Sequence, residues 1–311
     1  MRLKAFAVAG AMVAAFGSHA PAFAQGAKQR SFATPQAAIE TLAEAARAHD
    51  AAALDDILGP EFKEALSGDP VRDKMDGDRF ASLVAEKLSF DEQTPNLSIA
   101  LLGDLQWPFP IPVVRDAAGW RFDTHAGIDE ILSRRIGANE TAAILLCRAY
   151  AMAQWEYFTN GDWDNDSVAE YAQKLSSSEG MQDGLYWPTA DDETPSPLGP
   201  LVAFATAKGY SVKNKGNTET GAPFYGYRFK ILTAQGPAAP GGAYSYIVNG
   251  NMIGGYALVA YPESWGKSGV MTFIINQQGR VYQKNLGANT TADVAAMSAY
   301  NPDPSWTIPD E

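Results

Sequence analysis

The chain has 311 residues, 46% of them hydrophobic and 19% charged, with 28 Gly and 19 Pro. This composition excludes disordered, collagen-like and coiled-coil classes, and the length suits roughly two domains of about 150 residues each. Lys+Arg 24 against Asp+Glu 36 gives a formal net charge of -12; with no basic excess to neutralise phosphates, a general nucleic-acid binder is excluded.

The first residues read as an export signal. Arg2 and Lys4 form a positive start, Ala5 to Phe16 is an apolar run, and Ala22-Phe23-Ala24 places small residues at the two positions that a signal peptidase reads. The pattern predicts cleavage after Ala24 and a periplasmic or secreted mature protein. The apolar run is shorter than the about 20 residues that a membrane-spanning helix needs, and no later run reaches that length. Cys147 is the single cysteine, so no internal disulfide forms and stability must come from core packing. It falls on an apolar position of an expected helix, which favours a buried structural role. Only His49 and His125 remain after the signal, which disfavours a histidine-based zinc site or a Ser-His-Asp triad.

Along the mature chain, helices come first. Thr34-Pro35 is a hydroxyl cap followed by Pro in the first turn, and Ile39, Leu42, Ala43 and Ala46 recur at helical spacing. A second short helix carries Leu54, Ile57 and Leu58 up to Gly59-Pro60. A third places Phe80, Leu83, Val84 and Leu88 on one face. Strands are expected at Leu97–Leu102, Ile111–Val114 and Trp120–Phe122, the last two joined by a turn at Asp116–Gly119. This succession, ending in Gly119-Trp120-Arg121-Phe122, resembles the nuclear-transport-factor-2-like (NTF2-like) fold. That likeness implies a curved antiparallel sheet wrapped around helices, and it fixes no function.

A long helical region follows from about Ile128 to Phe158, with a break expected near Gly137 and a domain boundary there. The division is thus a signal at 1–24, an N-terminal α+β domain at 25–136 and a C-terminal α+β domain at 137–311. A polar loop at Asn160–Asp166 and a short helix around Val168–Leu175 come next. Period-two alternation marks Tyr225, Tyr227, Phe229 and Ile231, and further strands are expected at Tyr244–Val248, Tyr256–Tyr261, Val270–Ile275 and Val281–Lys284. With turn signals at Asn249-Gly250 and Gln278-Gly279, the pattern predicts an antiparallel meander packed on the helical region. The stretch Ala234–Ala243, rich in Gly and Pro, is expected to pack on the neighbouring domain or to present a preorganised partner surface.

Several strings carry a more specific likeness. They are Trp107-Pro108-Phe109-Pro110-Ile111-Pro112, Gly184-Leu185-Tyr186-Trp187-Pro188 and Ser196-Pro197-Leu198-Gly199-Pro200-Leu201. Ile231 to Tyr244, Ser268-Gly269-Val270-Met271-Thr272-Phe273 and Asp303-Pro304-Ser305-Trp306 complete the set. They closely resemble an exported bacterial family known as domain of unknown function 2950, a likeness that implies no activity or catalytic residue. Asn139-Glu140 opening a helix with Arg148 and Gln154, then Glu170-Tyr171-Ala172, Gly226-Tyr227-Arg228-Phe229 and Gly266 to Val270, also resembles the head domain of type IV pilin-like and pseudopilin-like proteins. That likeness implies a helix packed on an antiparallel sheet.

Candidate chemistry centres on carboxylates. Asp162, Asp164 and Asp166 alternate as at positions 1, 3 and 5 of a calcium loop, and Glu170 lies a helical turn beyond, so a calcium ion is the cofactor the spacing suggests. Against it, Ser167 stands where such a loop has Gly, and Gln173 where it has Glu; the plain alternative is a solvated loop that caps the next helix. Asp123-Thr124-His125 reads as an acid–base pair or as a helix cap, the cap being favoured. Asp191-Asp192-Glu193 offers paired carboxylates for glycoside hydrolysis, or a solvated Pro-rich loop. Aromatics crowd the C-terminal half, among them Tyr186, Trp187, Tyr225, Tyr227, Tyr244, Tyr246 and Trp265; such rings stack on sugars, anchor interfaces or fill strands. Three functions follow: a non-enzymatic structural or binding module with a protein or cell-envelope partner, which leads; an envelope hydrolase using paired carboxylates; and an accessory part of a pilus or secretion apparatus.

Overall fold

A computed structural model describes residues 29–161, 163, 167–190, 192–207 and 223–310. Residues 1–28, where an export signal is expected, and the stretch around Tyr210 lie outside the described residues. The fold is α+β. Helix α1 (Pro35–Ala48) begins where the sequence signals it: Thr34 is extended and its Oγ1 accepts from the Ala37 amide at 3.1 Å. Asp50 caps α2 (Ala51–Leu58), its Oδ1 accepting from the Ala52 and Ala53 amides at 3.0 Å each. A 3-10 turn at Pro60–Ala65 leads to α3 (Pro70–Glu86), capped by the buried Asp69.

Strands β1 (Leu88–Thr94), β2 (Leu97–Leu102), β3 (Trp107–Pro108), β4 (Val113–Asp116) and β5 (Gly119–Phe122) form an antiparallel sheet of order β1-β2-β4-β5, with β3 also on β2. Leu88, expected as the last helical residue, instead opens β1 opposite Leu102. Lys87 turns the chain to extended geometry, and pairing with β2 overrides the helical spacing. Along β2 burial alternates, so Ser98, Ala100 and Leu102 face the helices. Ile39, Leu42, Ile57, Ile111, Val113 and Phe122 fill the core between.

Helix α4 (Thr124–Asn160) has 37 residues, a length of ~55 Å. Asp123 caps it and the Thr124 hydroxyl bonds the Leu58 carbonyl at 2.5 Å, so the Asp123-Thr124-His125 string is a strand-to-helix cap. Gly127 is needed at the entry, because a Cβ there would lie 2.6 Å from Ile111 Cγ1. The break expected at Gly137 is absent: the helix runs through it, and Thr141 Oγ1 donates to its carbonyl at 2.9 Å. A single Gly costs only ~1 kcal/mol in a helix, less than the packing at both ends supplies. Ile131 packs against the N-terminal core, while Ala143, Cys147, Tyr150, Ala153 and Tyr157 enter a second one. Cys147 is fully buried, and burial pushes its thiol up to about 12, so it is inert packing.

At the junction, the buried Arg135 guanidinium reaches Asp73 at only 4.0 Å, and its Nε and Nη1 have no hydrogen-bond partner among the described residues. Burial lowers its pKa from the usual value.

After α5 (Gly199–Ala207), the second core is built on β6 (Tyr227–Leu232), β11 (Ala257–Pro262), β12 (Thr272–Asn276) and β13 (Tyr282–Lys284), all antiparallel in the order β13-β12-β11-β6. Two small ladders lie between β6 and β11 in the chain: β7 (Ala234–Gln235) with β8 (Tyr244–Ser245), and β9 (Ile247–Val248) with β10 (Asn251–Met252). The Asn249-Gly250 turn closes the second, both residues having positive φ. Every residue of β11 and β12 is buried. Strand side chains alternate between faces, so both faces of the sheet are covered; α4 packs on β11 and β12, and α6 (Thr290–Ala296) on β11.

The loop 234–243 packs, but on the C-terminal segment and not on the N-terminal half. Asn301 Oδ1 accepts from the Ala238 amide at 2.8 Å, and the Gly236 amide donates to the Tyr300 carbonyl at 2.9 Å. Gln235, 2% exposed, donates to the Pro240 and Gly242 carbonyls at 2.7 Å each. Among the described residues no helix is long and apolar enough to cross a membrane.

Candidate functional site

The stretch 168–175, expected as a helix, is irregular, with bends at Gln173 and Leu175. Its backbone groups are claimed from outside. The fully buried Gln154 of α4 accepts from the Ala172 amide and donates to the Ala172 carbonyl, both at 2.8 Å, and also donates to Tyr150 Oη at 2.9 Å. The Tyr171 amide donates to the Met252 carbonyl at 2.9 Å, and Gln173 Nε2 to that of Gly250 at 2.6 Å. Bonds to the Gln154 side chain on one side and to the β9–β10 hairpin on the other replace the i→i−4 bonds of a helix.

The chain then turns back at 176–186. Lys174 donates to Asp183 Oδ2 at 2.5 Å and to Ser178 Oγ at 2.8 Å, while the Ser178 amide donates to Asp183 Oδ1 at 2.8 Å. Burial raises the Asp183 carboxyl, but hydrogen bonds from Lys174 and Ser178 outweigh it and hold the group below the ordinary carboxylate range. The Ser177 amide donates to the Tyr186 carbonyl and the Leu185 amide to that of Lys174. Gly184 permits this close crossing, since a Cβ there would lie 2.8 Å from the Ser177 nitrogen.

Trp187 follows and is held from beneath. Its ring lies 4.9 Å from that of Trp163 and 6.5 Å, edge-on, from that of Tyr157. Trp163 Nε1 donates to the Tyr157 carbonyl, the Tyr157 hydroxyl to that of Gln182, and the buried Ser196 hydroxyl to that of Trp187. The result is an open cleft of about 640 Å³ with Trp187, Pro188 and Met181 as its apolar wall and Ser178 and Gln182 as neutral polar groups. Among the described residues, Glu179 and Glu193 are its charged lining residues, with no Lys or Arg. Glu193 also closes its own turn, accepting from the Ala190 amide at 3.0 Å.

The family model described as "Protein of unknown function (DUF2950)" matches residues 29–308. The chain belongs to that family. No curated protein and no solved structure matches it, so the NTF2-like and pilin-like likenesses rest on the sequence patterns given above. In this DUF2950 chain the cleft joins strings that the sequence presents separately, Gly184 to Pro188 and the acidic run ending at Glu193.

The acidic string divides differently. Asp162, Asp164 and Asp166 lie outside the described residues, as does Asp191. Glu170 Oε2 accepts from the Met252 amide at 2.9 Å, which ties this stretch to β10. Among the described residues, no group of three or more His, Cys, Asp or Glu is placed to hold a metal ion.

Behind the cleft wall, Lys174 meets the lining residue Ser178 at the spacing of a base and a nucleophile. An ammonium ion-paired with Asp183 has no lone pair with which to take the Ser178 proton, so this trio works as a loop lock. Glu179, Met181 and Gln182 carry no signal in the sequence; the Lys174–Asp183 lock, with the Tyr157 hydroxyl on the Gln182 carbonyl, brings them to the cleft.

Proposed function

We propose that this chain is an exported, non-enzymatic binding module of the cell envelope, and that the cleft at Trp187 is its binding site. The observation that carries the reading is one concave surface with an apolar wall of Trp187, Pro188 and Met181 and an acidic rim of Glu179 and Glu193. Such a surface suits an extended ligand with an apolar face and hydroxyl or amino groups, the chemistry of envelope glycan strands and their peptides. Export is supported by the Arg2-to-Ala24 pattern. The NTF2-like reading of the N-terminal half draws support from β1–β5 beside α1–α3, and the pilin-head-like reading from α4 lying on β11 and β12.

A second reading, envelope hydrolysis, is favoured by the two glutamates sharing one cleft. One experiment separates them: calorimetric titration with soluble cell-wall glycan fragments, followed by mass analysis of the recovered fragments. Saturable heat with intact fragments supports the binding module. Cleaved fragments, with cleavage lost in Glu179→Gln or Glu193→Gln, support the hydrolase. An absence of both heat and cleavage contradicts the site.

A further inference from the structure

Resting on the reading of the cleft as a glycan site, we infer that it selects strands whose amino sugars carry a free, protonated amine over the N-acetylated form. The segment 176–196 supplies the lining residues of the cleft. It holds five carboxylates, Glu179, Asp183, Asp191, Asp192 and Glu193, and no Lys or Arg. Asp183 is neutralised by Lys174, so that ammonium group is already committed. Glu179 and Glu193 are exposed, and neither forms an ion pair among the described residues. Glu193 is also oriented: its Oε2 accepts from the Ala190 amide at 3.0 Å, which fixes the group and leaves Oε1 for a ligand.

Carboxylates beside an apolar wall call for a donor that carries positive charge. An ammonium group offers three donors, and its hydrogen bonds to carboxylates are charge-assisted. An acetamide at the same place brings no charge and adds a methyl group, and an anionic ligand is repelled.

The wall favours a sugar strand over a peptide as the carrier of that amine. An extended peptide gains affinity by adding its main chain to free backbone groups. Here backbone groups that border the cleft are already spent on one another: the Ser177 amide on the Tyr186 carbonyl, that of Leu185 on Lys174, and that of Leu198 on Leu185. Side-chain chemistry remains. Met181 and Pro188 are exposed beside Trp187, an apolar surface for the face of a pyranose ring, and the exposed Gln182 amide can both donate to and accept from its hydroxyls.

Calorimetric titration at about pH 6, where a primary amine is protonated, compares glucosamine tetramer with N-acetylglucosamine tetramer. Wild type should bind the amine form about tenfold more tightly at low ionic strength, the effect of two partly exposed ion pairs. The preference should shrink several-fold at ~0.5 M salt, which tests the charge without any substitution. In the double variant Glu179→Gln, Glu193→Gln the ratio of the two affinities should fall to about one. That ratio is taken within one protein, so a general loosening of the cleft does not move it, and both positions are exposed, so melting should be unchanged. The amidated tripeptide Lys-Lys-Lys, which matches the tetramer in ammonium groups, should bind more weakly than glucosamine tetramer. Four results would each overturn the inference: wild type without preference for the amine form, a preference that salt leaves unchanged, a ratio kept in the double variant, or a tripeptide bound as tightly as the sugar. In each of these the cleft still binds sugar strands and the binding-module reading stands. Wild type that binds neither tetramer contradicts that reading together with this one.

Discussion

In the N-terminal half, apolar side chains at regular spacing meet across α1, α2 and the sheet, and the caps lie next to the helices they cap. In the stretch 167–198, several backbone groups are instead met by single side chains, Gln154 on Ala172, Tyr157 on Gln182 and Ser196 on Trp187, and Glu170 reaches out to the Met252 amide. The first arrangement spreads its stability over many weak contacts. The second concentrates it in a few buried polar bonds, each of which leaves an unsatisfied group when removed. The candidate cleft is built from the second kind, so its shape depends on single side chains in α4.

The largest effect should come from the N-terminal core. Phe122 is fully buried and contacts Phe32 and Phe109 edge-on, so Phe122→Ala should cost about 3–5 kcal/mol. Thermal unfolding should show the whole half melting earlier. Gln154→Leu should cost somewhat less, about 2–4 kcal/mol, because it strands both the amide and the carbonyl of Ala172. Its signature differs: hydrogen exchange should quicken first in 168–188, with the N-terminal sheet still protected. Uniform acceleration in both regions would erase the contrast between them.

A smaller effect should follow acidification. The folded-state pKa of Asp183 lies below its ordinary value. The stability it contributes is therefore present above the unfolded value of about 4 and is lost as pH falls through the lower folded value. Below about pH 4 the 176–186 turn should loosen, read as a change in Trp fluorescence from Trp163 and Trp187. Asp183→Asn should already be loosened at neutral pH and lack that acid step.

The same contrast explains what the sequence discloses. The Thr34 cap, the Asp116–Gly119 turn, the Asn249-Gly250 turn and the alternation in β6 are local signals, and each falls in or beside the element it announces. The α+β class follows from them. The irregular course of 168–175 is invisible, because its hydrogen-bond partners are Gln154, Gly250 and Met252. Trp187 and Glu193 stand out as an aromatic and an acid, but nothing in their spacing brings them to one cleft. Glu179 and Met181 come there through a turn held by an ion pair across nine residues and by the Tyr157 hydroxyl on the Gln182 carbonyl.

Calorimetric titration of soluble cell-wall glycan fragments into wild type, Met181→Asp and Glu193→Gln tests the cleft most directly. The account predicts saturable heat with wild type, a loss of about tenfold or more in affinity in each variant, unchanged melting of the Met181→Asp protein, and fragments recovered intact. Binding equally strong in both variants, or no heat with wild type, would contradict it.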